Sequence, residues 1–285
     1  MLELITVVFA PELPLLKIQA HSIIKYINNV DAITVVINDG DDVGNNIDTA
    51  WWGKYQNRVK IIPKSKWNYT SRINGWEEQQ LLKLLAASES NSKWSMVLDA
   101  KTWFVQPFDS DNFFDHQGRP KTGSITVFPV FESSQRFIEQ YYNISMPKVL
   151  GPAGVPFMFH TNTVHELTNS IDNFVEFFQT EVRYPHLITE FHLYSGYILS
   201  KFGNYDQLYH MNSYYDVLNI ADWEANEFDQ LLSLAKTNSK LLTTSIHRRT
   251  YKLLSHEQIA QWVDFLSTKN LIQNKQETIS MLNTL

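Results

Sequence analysis

The stretch WSMVLDAKTWFVQPF, residues 94–108, constrains this chain more than any other. Met96, Val97 and Leu98 form a short apolar run that ends on a carboxylate, Asp99. Lys101 follows, and Trp103, Phe104 and Val105 make a second run closed by Pro107. A run this short, β-rich and bounded by polar residues reads as a strand buried on both faces, as in the middle of a parallel sheet. Ligands of open α/β sheets bind in the crevice beyond the carboxyl ends of such strands, so Asp99 is the expected anchor of a site. A carboxylate that only caps a turn has the same local sequence, so the other walls must be sought elsewhere in the chain.

The segments before it supply a βαβ unit. Residues 4–10 read as a buried strand broken by Pro11 and Pro14, and Leu16, Ala20, Ile23, Ile24 and Ile27 recur at helical spacing until Asn28 and Asn29. Residues 32–38 are a second β-branched strand, and the expected crossover is right-handed. The acidic turn after it, residues 38–42, can bind a cation or ribose hydroxyls, or simply turn the chain. Residues 59–62 make a third strand. In the helix expected over 74–88, Leu81, Leu84 and Leu85 share one face, while Gln79, Gln80 and Lys83 fall within an arc of about 100° on another. That second face can reach a polar ligand or stay solvated.

Beyond residue 108 a polar, Asp-rich loop is expected up to Gly123, then a strand over 125–130 and a helix over 135–142. Residues 147–156 form a Gly/Pro loop long enough to be a binding loop. A strand over 157–160 and a helix over 163–171 capped by Thr163 follow. Residues 188–202 are helical with Phe191, Tyr194 and Ile198 inward, and Glu190 in the first turn is favoured there by the helix dipole. Short strands are expected over 208–211 and 241–246, the latter running into His247, Arg248 and Arg249. Helices are expected over 222–236, capped by Asp222, and from Ser255 to Phe265, with a polar, peripheral tail after Asn270.

Composition removes several functions. The 285 residues include no Cys, which excludes disulfides, thiol catalysis and thiolate metal sites. A net charge of −6 argues against a nucleic-acid partner held by phosphate contacts. No apolar run reaches the length of a membrane span, and Glu3 stands where a signal peptide carries basic residues, so a cytoplasmic setting is the expectation. A hydrophobic share of 44% suits a globular chain, and 8 Trp with 13 Tyr give aromatic walls that sugar or base sites use. P-loop, Gly-x-Gly-x-x-Gly, Gly-x-Ser-x-Gly and His-Glu-x-x-His signatures are missing, and His160 and His165 have no metal-pair spacing.

Taken in order, GWEEQQLLKL, VLDAKTWFVQPF, TEFHLYSGYIL and SIHRRTY resemble a family of glycosyltransferase-like proteins of bacteria and phages with the GT-A fold. The resemblance spans residues 4–266. It implies an α/β fold, a Rossmann-type mixed sheet flanked by helices, as a GT-A-like domain over 1–250 with a helical extension, 251–285, packed on it. It also implies a nucleotide-sugar donor and an unidentified glycan, protein or small-molecule acceptor. In GT-A enzymes two carboxylates of an Asp-x-Asp motif, often with a late His, hold Mn²⁺ or Mg²⁺ against the donor diphosphate. Asp99 and His247 match that scheme, and are the metal ligands it implies. Lys101 departs from it, standing where the second Asp belongs, a swing of two charge units. The expectation is that Lys101, with Arg248 or Arg249, clamps the diphosphate without requiring a metal. Glu190 is the implied base or sugar-hydroxyl acceptor, and Gln79, Gln80 and Lys83 contact the donor or brace the Asp99 strand. A non-catalytic carbohydrate- or nucleotide-binding protein on the same scaffold is the alternative, and a nucleotidyltransferase a third.

Overall fold

The computed structural model describes residues 2–107, 113–151, 154–211 and 216–285. Phe108 and part of the loop expected after it lie outside the described residues, as do two positions of the 147–156 loop. Strand β1 (Leu2–Val8) is buried along its whole length, as an apolar run at the centre of a parallel sheet must be. Helix α1 (Leu13–Tyr26) returns the chain to β2 (Ala32–Ile37), which pairs parallel with β1. Strand β3 (Val59–Pro63) pairs parallel with β2, and β4 (Trp94–Asp99) lies parallel to β1 on its other side. Strand β8 (Phe157–His160) closes the sheet antiparallel to β4, giving the order β3-β2-β1-β4-β8.

Helix α2 (Gly75–Ser88) crosses from β3 to β4, and its start is fixed by Asn74. The Asn74 carboxamide accepts from the Trp76 and Glu77 amides while the Glu77 carboxylate accepts from the Asn74 amide. The mixed, helix-flanked sheet is of the GT-A-like kind expected from the sequence.

The key stretch is not one strand. Beyond Asp99 the chain turns, and β5 (Thr102–Phe104) joins a different sheet, antiparallel to β10 (Leu241–Ile246), which pairs parallel with β9 (Asp216–Ile220). Buried Gln19 of α1 fixes this turn, its amide donating to the Asp99 carbonyl at 2.6 Å and the Thr102 carbonyl at 3.0 Å. Each sheet has its own apolar core. Leu98 and Phe104 belong to the larger, while Trp103 and Val105 enter the smaller with helix α8 (His256–Thr268).

Several local expectations are corrected. Pairing of the strand expected over 125–130 stops early: β6 is Gly123–Ile125, paired with β7 (Val149–Gly151) inside the expected Gly/Pro loop, and Pro129–Phe131 is a 3-10 turn. Residues 208–211 are turn, with one bridge from His210 to Lys121. The helix expected from Thr163 is α4 (Thr161–Ser170), following α3 (Glu132–Tyr142); Thr163 lies inside it and its hydroxyl meets His160 Nδ1 at 2.9 Å. Asp222 opens a 3-10 turn, Asp222–Glu227, before α7 (Phe228–Thr237). The tail is not peripheral: Leu271, Leu282 and Leu285 are buried, the latter two in or after a helix, α9 (Lys275–Leu282). Between α4 and α7 lie α5 (Phe174–Glu181) and α6 (Glu190–Phe202), the latter capped by the Thr189 hydroxyl, which accepts from the His192 amide.

Candidate active site

A cavity of about 450 Å³ opens beyond the carboxyl ends of β1, β2 and β4, and all nine site residues expected from the sequence line it. Lys83 comes from the middle of α2, Asp99 from the end of β4, Glu190 from the first turn of α6, and His247 to Arg249 from the end of β10.

At its floor the charges form a chain. Lys101 Nζ lies 2.8 Å from Asp99 Oδ2, Lys83 Nζ lies 2.9 Å from Asp99 Oδ1, and the same ammonium lies 3.3 Å from Glu190 Oε1. Gln79 donates to Asp99 Oδ1 at 3.3 Å. Burial works against ionisation of Asp99, but the Lys101 and Lys83 ammonium groups outweigh it and hold the carboxyl well below the usual range. Burial likewise works against the Lys83 ammonium, and Asp99 with Glu190 outweigh it, so that its pKa is raised. Glu190 is pushed up by burial, which Lys83 only partly offsets.

These residues suit a divalent cation poorly. Both oxygens of Asp99 already face ammonium groups, and a cation two positions on repels a metal. No group of three His, Asp or Glu placed to hold one occurs among the described residues.

One wall is cationic and open. Neither Arg248 nor Arg249 has a carboxylate in ion-pair range among the described residues, and Arg248 lies over the Phe9 ring at 5.3 Å. His247 follows β10, its Nδ1 buried without a partner among the described residues, and burial, followed by the charge of Lys101, lowers its pKa. Unpartnered buried atoms recur around the cavity: Glu12 Oε2, Asn38 Oδ1, and both the oxygen and the nitrogen of the Gln80 amide. Buried polar atoms are normally hydrogen-bonded, so these leave unused donors and acceptors at the lining of the cavity, as others do elsewhere in the chain.

Another part of the lining is aromatic. Trp76, at the start of α2, and Phe128 are 56% and 55% exposed, and both line the cavity with Phe131. Phe131 meets the His192 ring edge to face at 5.2 Å. His192 is buried, its Nδ1 is 3.1 Å from Ser134 Oγ, and burial lowers its pKa to about 4.

Sequence reasoning passed over Glu12, His192 and the rim aromatics, and left Asn38 open between a ligand contact and a turn. Glu12 sits in APELP, where the prolines advertise a break and nothing local tells that the carboxylate is buried. Burial pushes its pKa up, and the charge of Lys101 partly offsets this. The acidic turn resolves into separate roles: Asn38 donates to the Gly75 carbonyl at 2.8 Å, and Asp39 accepts from the Ala10 amide at 2.6 Å. Asn38 and Asp39 both line the cavity, as do Gly154 and Val155 of the Gly/Pro loop.

The model of a family of unknown function, DUF6492, matches residues 8–273, and the chain belongs to that family. The sequence matches no curated protein. Among solved structures it is similar in fold to the bifunctional glycosyltransferase WbbM, at 8% identity and a TM-score of 0.53, over 98% of this chain and 51% of that one. The chain thus spans about half the length of WbbM. Looser likenesses are to the galactosyltransferase LgtC in complex with donor and acceptor sugar analogs (8% identity, TM-score 0.45, 97% of this chain and 99% of that) and to GlyE of Streptococcus pneumoniae TIGR4 (10% identity, TM-score 0.46, 98% and 62%). No helix is long and apolar enough to cross a membrane among the described residues.

Proposed function

We propose that the protein is a glycosyltransferase that binds a nucleotide-sugar donor with its diphosphate against Lys101, Arg248 and Arg249, in place of an Asp-x-Asp metal. The observation that carries this reading is the pairing of Asp99 with Lys83 and Lys101, beside two arginines with no carboxylate in ion-pair range among the described residues. As the bond from the sugar C1 to the phosphate oxygen breaks, the electron pair leaves with the nucleoside diphosphate. Fixed cations stabilise that growing charge. The acceptor oxygen joins C1 and its proton passes to a base in the cavity. Asp99 holds the Lys83 and Lys101 side chains in place through its two oxygens, a positioning role.

Glu190 supports a second reading. Its carboxylate is only 3% exposed and is engaged by Lys83, as befits a structural ion pair, and this favours a binding protein on the same scaffold.

Calorimetric titration with UDP and GDP, in Mn²⁺ and in EDTA, tests the donor site. Binding is expected to be insensitive to EDTA and to weaken by about tenfold or more in Lys101→Ala and Arg248→Ala, the loss of a charge-assisted hydrogen bond. A strict metal requirement would refute the metal-free clamp. Slow hydrolysis of a bound nucleotide sugar, lost in Asp99→Ala, separates the enzyme from the binding module.

A further inference from the structure

The two walls of the cavity differ in what they leave available. Arg248 and Arg249 have no carboxylate in ion-pair range among the described residues, whereas Lys83, on the aromatic side, is tied to Asp99 and Glu190. A second ligand on the aromatic side therefore meets, among the described residues, a cation that is already paired. It also meets exposed rings above buried hydrogen-bonding groups.

Those parts are physically connected. Trp76, Gln80 and Lys83 recur at four- and three-residue steps along α2, so one helix face runs from the rim to the floor. Lys83 leads to Glu190, which shares the first turn of α6 with His192. His192 packs on Phe131, and the Phe131 amide donates to the Phe128 carbonyl, closing the arc at the rim. Two large exposed rings that line one cavity offer a ligand an apolar surface. The buried Gln80 amide supplies a donor and an acceptor, both without a partner among the described residues.

We infer that Trp76 and Phe128 form a stacking platform for a pyranose ring, and that the acceptor is accordingly a carbohydrate whose hydroxyls reach Gln80 and His192. A pyranose carries an apolar C–H face and a rim of hydroxyls, the same pairing of apolar and polar that this wall offers. Aromatic side chains with a few convergent polar groups are the usual make-up of such sites. His192 lines the cavity, its ring fixed by the 3.1 Å contact from Nδ1 to Ser134 Oγ. Only the word acceptor rests on the glycosyl-transfer reading; the sugar platform stands without it.

Saturation-transfer NMR with a panel of methyl hexopyranosides and disaccharides tests the platform on the full chain. For at least one sugar, transfer to ring C–H protons is expected, with affinity weakened about tenfold in Trp76→Ala and in Phe128→Ala. Both side chains are more than half exposed, so both variants fold, which circular dichroism checks. UDP or GDP titration of the same variants is the second arm and is expected to match the unsubstituted protein. Sugar transfer that survives both substitutions, transfer seen for no sugar, or capture of lipid vesicles through these two rings would each overturn the platform. If sugars bind through the rim while no nucleotide binds, the platform holds and the glycosyl-transfer reading fails.

Discussion

The two walls of the cavity use charge in opposite ways. On the side built from the end of β10, Arg248 and Arg249 stand without a carboxylate partner among the described residues. On the side built from α2 and α6, Lys83 and Glu190 are buried and neutralise one another. Asp99 sits between, one oxygen towards Lys83 and the other towards Lys101. A cation at a cavity is thus no guide to what it does: an arginine without a carboxylate partner is open to an anion, and a lysine paired under burial holds the walls together.

That contrast breaks most sharply at Lys83. Lys83→Met leaves Glu190 buried without its counter-ion and removes one of the two ammonium groups on Asp99. The expected cost is about 3–5 kcal/mol, read from urea denaturation. Arg249→Ala removes an equal charge from an exposed site and is expected to change stability by no more than about 0.5 kcal/mol while weakening UDP or GDP binding. Equal stability effects in the two variants would erase the distinction between the walls.

His192 sharpens it through pH. Its ordinary value of 6.5 is lowered to about 4 by burial, so between those values the unfolded chain binds a proton that the folded one refuses. Stability from this group is therefore full above pH 6.5 and is lost as pH falls towards 4, by about 3 kcal/mol in total. Asp99 acts in a lower window, its contribution present above the ordinary carboxylate value of 3.8 and lost as pH falls through its depressed folded value. Glu190 runs the other way, since a raised carboxyl pKa gains stability as pH falls through it. Urea midpoints of the unsubstituted protein and His192→Gln at pH 7 and pH 4.5 isolate the histidine: the variant is expected to show the flatter dependence.

How far the sequence foretells this site follows from the range of the forces involved. The first βαβ unit was legible because hydrophobic period and β-branching are local, and Asp99 was legible as the residue that ends a buried run. Four motifs in order brought Glu190, His247 and the α2 amides to the same place. The second sheet was not legible, because β5 is three residues long and its partners lie far along the chain. Nor did DVLNI of β9 read as a strand, its Asp and Asn hiding a run that pairs with β10. Lys83 could be named as a lining residue, but its bond to Glu190 depends on how α2 meets α6, which no local pattern encodes. Glu12 and His192 escaped for the same reason: burial is a property of the assembled fold.

A test at the crossing of α3 and α6 asks whether the aromatic wall can be loosened alone. Gly196 lies one side of α6 where it crosses α3, and a Cβ there would stand 2.2 Å from Ile138 Cγ2, far inside contact distance. Gly196→Ala must therefore push α6 from α3, at a cost of about 1–3 kcal/mol. The two helices carry His192 and its partner Ser134, so the displacement strikes the 3.1 Å contact that orients the imidazole. The cationic wall hangs on β10 in the other sheet and does not share this crossing. Nucleotide binding is therefore expected to hold while saturation transfer to a hexoside declines. Parallel loss of both ligands would mean that the walls move as one body, and the division between them would be a matter of charge alone.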